Sequence, residues 1–167
     1  GAAEGGEVTE TAMDNKIIQR SLAFIESCDD ATKLRQLAVN AASKGVSEVE
    51  RSARLRLYAI LPNEQPGTLE YDVWQSIYCL EDTLGLERGK TTRLSRTRQK
   101  ISRDGEQKTV ADLVLGTPSD GFSMLIERRM PELTFEAVAI KHSDRFDEEV
   151  ISAAKARLIK AGIPDSL

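Results

Sequence analysis

The chain has 167 residues, with 23 Lys+Arg against 27 Asp+Glu, a formal net charge of -4, one histidine and two cysteines; it is 40% hydrophobic and 30% charged. A chain of this length buries about 70% of the surface that its unfolded form exposes, so it needs no disulfide or metal to hold a core. Cys28 and Cys79 are too few for a disulfide framework and, with one histidine, for a zinc site.

Residues Gly1–Ala12 (GAAEGGEVTETA) are small or acidic and carry no apolar period, so a flexible N-terminal tail over 1–12 is expected. Ile17, Ile18, Leu22 and Ile25 then recur at helical spacing, with Phe24 beside them. Asp29 or Asp30 caps a second helix whose apolar face is Leu34, Leu37, Ala38 and Ala41, and Gly45 closes it. Ser47-Glu48-Val49-Glu50 fits a capping box ahead of a third helix, which ends at Pro62. The short turn at Gly45 predicts an antiparallel hairpin. These pieces make an N-terminal three-helix subdomain over 13–62. The turn Asn63–Gly67 separates it from a helical region over 68–167 that packs on it.

Thr68 caps the most strongly patterned helix, which runs to about Leu84. Leu69, Val73, Ile77, Leu80 and Leu84 fall in phase, and Tyr71, Trp74 and Tyr78, spaced 3 and 4 apart, fall on a second face. Weaker helices are expected over Thr92–Arg103, Thr109–Leu115, Ser119–Arg129 and Asp147–Lys160. Segment 134–141 reads as helix or strand; helix is preferred because no second strand exists to pair with it. The fold is expected to be all-α, a single-domain bundle of about seven or eight helices with the N-terminal hairpin packed on a central helix.

Charge is the anomaly. Arg88, Lys90, Arg93, Arg96, Arg98, Lys100 and Arg103 place +7 in sixteen residues that hold no acid, which leaves -11 on the rest. Arg93, Arg96, Lys100 and Arg103 are separated by 3, 4 and 3 residues and would form one helical stripe. Thr91, Thr92, Ser95, Thr97 and Ser102 intersperse hydroxyls, and hydroxyls with guanidinium groups suit phosphate oxygens. No aromatic residue lies among them, which favours phosphate contact over base stacking. The competing reading is internal pairing with acids such as Glu70, Asp72, Glu81 and Asp82. Glu127-Arg128-Arg129 reads as a cationic helix end. A helix-turn-helix over 119–142 is disfavoured by the acid Glu136 near the start of its second helix.

Other chemistry has little support. Gly89-Lys90-Thr91 lacks the upstream glycine of a phosphate-binding loop, because position 84 is leucine. His142 has no nucleophile or metal partner in sequence and reads as an exposed helix-end residue. Cys79 reads as a small core residue. Asp144, Asp147 and Glu148 read as the acidic start of the last helix.

The sequence therefore points to a non-catalytic helical binding or regulatory protein that contacts a polyanion, first of all nucleic acid, through segment 88–103. An acidic protein is the other partner that the basic segment would suit; the alternative is a protein-interaction adaptor or self-associating module that uses Tyr71, Trp74 and Tyr78. An enzyme is the third reading. No metal or cofactor is expected, no stretch reaches the ~18 apolar residues of a membrane helix, and with no secretory signal in view a cytoplasmic location is expected.

Overall fold

The computed structural model describes the backbone of residues 2–164 and the side chains of 14–164, and helix-breaking residues divide the described residues into nine α-helices. There is no strand among the described residues. The expected tail over 1–12 lies outside the residues whose side chains are described. The helix count exceeds the seven or eight expected; Gly105 and the Gly116–Pro118 stretch each end a helix rather than bend one, and the helix before Pro131 has already ended at Glu127. The chain forms two compact units, Gly1–Leu61 and Pro62–Leu167.

The first unit holds α1 (Ala2–Ser27), α2 (Ala31–Ser43) and α3 (Ser47–Ile60). Asp30 is the cap of α2, its carboxylate accepting the Lys33 amide at 3.1 Å. Gly45, at φ +73°, closes α2: its own amide bonds the Ala42 carbonyl at 3.1 Å, and the next amide, Val46, bonds Ala41 at 2.9 Å. This double closure starts α3 at once, with Val46 at its cap position and no side-chain cap. The expected Ser47 capping box therefore does not form, and Glu50 instead pairs with Arg54 one turn on, at 3.0 Å. Ile25, Leu34, Ala38, Val49, Ala53, Leu57 and Tyr58 are buried in this unit. Arg56 ties α3 to the end of α1, donating to the Cys28 carbonyl at 3.0 Å and pairing with Asp29 at 2.6 Å. Ile17 and Phe24, which the periodicity placed with Ile25, are exposed.

The second unit is built on α4 (Leu69–Arg88). Thr68 caps it by accepting the Tyr71 amide at 3.2 Å, and Gly89 ends it in the left-handed conformation, as glycine does without steric cost. All five residues of the predicted apolar stripe, Leu69, Val73, Ile77, Leu80 and Leu84, are buried, and Asp72, Ser76, Cys79 and Thr83 are buried beside them. Around α4 lie α5 (Ser95–Asp104), α6 (Glu106–Leu115), α7 (Asp120–Glu127), α8 (Phe135–Lys141) and α9 (Glu148–Lys160), with single 3-10 turns at Pro131–Leu133 and Ser143–Arg145. One cluster joins Leu69, Val73 and Ile77 to Ile101, Val110, Val114, Val138, Val150 and Ala154, so five helices share it. Segment 134–141 is helix: Thr134 caps α8 through the Ala137 amide at 3.1 Å. Glu136, Val138 and Ala139 are buried, so α8 is a core helix and not one that a nucleic-acid groove could receive.

Buried charge in this unit is paired, as desolvation requires. Glu136, 4% exposed, meets the Arg157 guanidinium at 2.7 Å. Asp72, 6% exposed, is held by His142 Nε2 at 2.6 Å and Lys141 Nζ at 3.0 Å. His142 is thus half-buried and bonded to α4, not an exposed helix end, because the 3-10 turn after it brings its ring against Asp72.

Ser76 is the exception: its buried Oγ has no hydrogen-bond partner. Ser76→Ala removes that desolvated group, so the stability measured by urea denaturation should stay level or rise by up to about 1 kcal/mol. Ile77→Ala, beside it in sequence and fully buried, should cost about 2–5 kcal/mol. Burial also pushes the Cys79 thiol up to about 12. In a Cys28→Ser variant, Cys79 should resist a disulfide reagent at pH 8 until denaturant is added. The folded form keeps its proton where the unfolded form loses it, so this group's contribution to stability falls as pH rises above about 9.

Candidate functional site

The basic segment begins in the last turn of α4, with Arg88. The Lys90 amide bonds back to the Gly85 carbonyl at 3.2 Å, and a Cβ at Gly85 would lie 3.2 Å from the Lys90 carbonyl oxygen. The chain therefore turns tightly over the helix end. Thr92 Oγ1 donates to the Lys90 carbonyl at 3.2 Å. The Leu94 amide donates to Glu81 Oε2 at 2.8 Å, and α5 starts at the next residue. The helix expected over Thr92–Arg103 is thus shorter at its start, because Glu81 fixes the backbone at Leu94 in a non-helical conformation. Arg93 lies on the turn, so the expected stripe of Arg93, Arg96, Lys100 and Arg103 is not a single helical face.

The seven cations divide into two sets. Arg98 forms a two-pronged pair with Glu81, Nε to Oε2 and Nη2 to Oε1, both at 2.8 Å. This hydrogen bonding raises the guanidinium's affinity for its proton further. Lys100 meets Asp112 at 2.7 Å and Asp104 at 3.2 Å, and Arg103 meets Asp104 at 3.3 Å. Hydrogen bonding to these carboxylates raises the pKa of Lys100. By contrast Arg88, Lys90, Arg93 and Arg96 are exposed and form no ion pair with any acid among the described residues.

Tyr71, Trp74 and Tyr78 are half-buried on α4. The rings of Trp74 and Tyr78 lie 6.3 Å apart, tilted by 45°. Arg98 covers both, its guanidinium carbon 5.1 Å from the centre of the Trp74 ring and 5.6 Å from that of Tyr78. Trp74 Nε1 donates to Glu106 Oε1 at 3.2 Å. The two predicted sites therefore meet at Arg98, which joins the basic segment to the aromatic face.

Of the four acids that sequence offered as counter-ions, only Glu81 reaches this segment by a described contact. Glu70 pairs with Arg145 at 3.4 Å, and Asp72 with His142 and Lys141. The partners Asp104 and Asp112 were missed, although Lys100 and Asp104 stand four apart on one helix, a spacing that sequence shows. Among the described residues no three His, Cys, Asp or Glu side chains converge to hold a metal ion, and no helix is long and apolar enough to cross a membrane. No protein-family model, curated protein or solved structure matches this chain.

The lysine and arginine contacts have a consequence for pH. Arg103, then Lys100, holds Asp104 below the usual carboxylate range, and Lys100 does the same for Asp112. Carboxylates with lowered folded-state pKa values contribute stability above their unfolded values, and that contribution is lost as pH falls through the folded ones. Lys100→Ala should therefore lower the urea midpoint at pH 7, and the gap from the parent chain should close as the pH drops below about 4.

Proposed function

We propose that this chain is a helical binding or regulatory protein that contacts a polyanion, nucleic acid in the first instance, through Arg88, Lys90, Arg93 and Arg96. The observation that carries this reading is the lack of acidic counter-ions around these four, against the pairing of Arg98, Lys100 and Arg103. Four cations on the end of α4, the turn after it and the first turn of α5 leave guanidinium and ammonium donors open to phosphate oxygens. The hydroxyls of Thr91 and Ser95 are exposed in the same stretch.

Duplex phosphates suit this arrangement better than stacked single-stranded bases. No aromatic side chain lies in the turn, and the nearby Trp74 and Tyr78 rings already carry a guanidinium. The same cover leaves less ring surface for a protein partner, so the adaptor reading gains less from the structure. The negative charge of the rest of the chain opposes approach at long range, so affinity should be modest and steeply dependent on salt.

Titration of a labelled DNA duplex by fluorescence anisotropy tests the reading. Contacts from four cations predict a slope of log K against log salt of about -3 to -4, from about -0.9 per neutralised phosphate. Replacing Arg88, Arg93 and Arg96 together with Ala should flatten that slope to near -1, while Lys100→Ala leaves it unchanged. Undetectable binding at low salt, or equal slopes for the triple variant and the parent, would overturn it.

A further inference from the structure

Beside the basic segment, whose Leu94 and Thr97 help to line it, the second unit holds a partly open cavity of about 140 Å³. Leu80, Leu84, Phe122 and Leu125 give it apolar walls, and Glu136 and Arg157 form its polar end. Gly121 keeps one wall close, because a Cβ there would lie 2.8 Å from Leu80 Cδ2. Cavities of about 150 Å³ hold one benzene-sized molecule.

At the polar end the Glu136 carboxylate has an oxygen to spare as an acceptor. The Arg157 guanidinium is engaged by Glu136 Oε1 at 2.7 Å, by the Leu113 carbonyl at 3.5 Å and by the Gly116 carbonyl, with the Phe122 ring 6.0 Å away. Glu136 Oε2 accepts no hydrogen bond among the described residues. It is not sealed off either: among the described residues Ser76 Oγ is the one fully buried side-chain oxygen or nitrogen without a partner. Glu136 is 4% exposed and lines the cavity, and its second oxygen keeps some accessible surface. Arg157 already balances its charge, so the site has no net charge for an ion to answer, and an anion would face the free carboxylate oxygen.

We propose that this cavity binds one small uncharged molecule with an apolar body of benzene size and a single hydroxyl donor directed at Glu136 Oε2. Phenol is the simplest probe of that class, and toluene matches it in size without the donor. The cavity borders the basic segment at Leu94 and Thr97, and its occupation does not require a polyanion.

Amide NMR titration of the full chain decides the matter. Phenol should shift the Phe122, Leu125 and Glu136 signals saturably, and toluene should bind at least about tenfold more weakly, the loss expected when a hydrogen bond to a charged acceptor goes unmade. Thr117 lies exposed on the cavity lining, so Thr117→Trp should obstruct the mouth and abolish the phenol shifts with the far-UV spectrum unchanged. The proposal is overturned if phenol gives no saturable shift, if toluene binds as tightly as phenol, or if the folded Thr117→Trp variant binds phenol like the parent. Should that variant fail to fold, the comparison of phenol with toluene on the parent chain still decides.

Discussion

The Glu81 carboxylate fixes the arrangement of the basic segment. It sits on α4 with its side chain 12% exposed, accepting the Leu94 amide and both prongs of Arg98. A carboxylate removed from water this far requires nearly all its lone-pair positions filled, and these three donors fill them. Where α5 begins, how the turn at Gly89–Leu94 leaves α4, and why Arg98 lies over Trp74 and Tyr78 all follow from that one acid. Removing a single partner would strand the others in a poorly solvated place, which makes the clamp cooperative.

The net charge of -4 conceals a sorting of charges by position. Acids of α4, α5 and α6 neutralise Arg98, Lys100 and Arg103, of which the first two are half-buried and the last is exposed. Internal pairing therefore accounts for three cations of the segment, and Arg88, Lys90, Arg93 and Arg96 are exposed without an acid partner among the described residues. Elsewhere in the same unit the pattern is opposite: Asp72 and Glu136 are buried acids that draw in His142, Lys141 and Arg157 from other helices. Unlike the exposed cations, these pairs lock helices together and leave no charge over for a partner.

Much of the fold was legible because its signals are local. Asp30, Thr68 and Gly45 announce helix ends through their own side chains or their own backbone freedom, and the five-residue stripe on α4 shows its burial by spacing alone. Ser47 misled because a competing local signal, the closure at Gly45, claimed the same backbone first. The start of α5 and the environment of His142 were hidden for another reason. Glu81 and Leu94, or Asp72 and His142, are far apart in sequence, and nothing short of the packed helices brings them together. The cavity beside Glu136 is of that kind too, since its walls come from helices spread over most of the second unit.

Trp74 is the single tryptophan of the chain, and it lies between the Arg98 guanidinium and the Glu106 carboxylate. The protein therefore carries one indole fluorophore, which can be excited apart from its three tyrosines, placed where the basic segment joins the core. Its emission reports on that junction alone: an indole freed from its charged cover meets a different local field, and its spectrum and lifetime change with it. Movement of the segment can thus be followed in the unmodified chain, without a dye whose own charge would disturb the electrostatics under study.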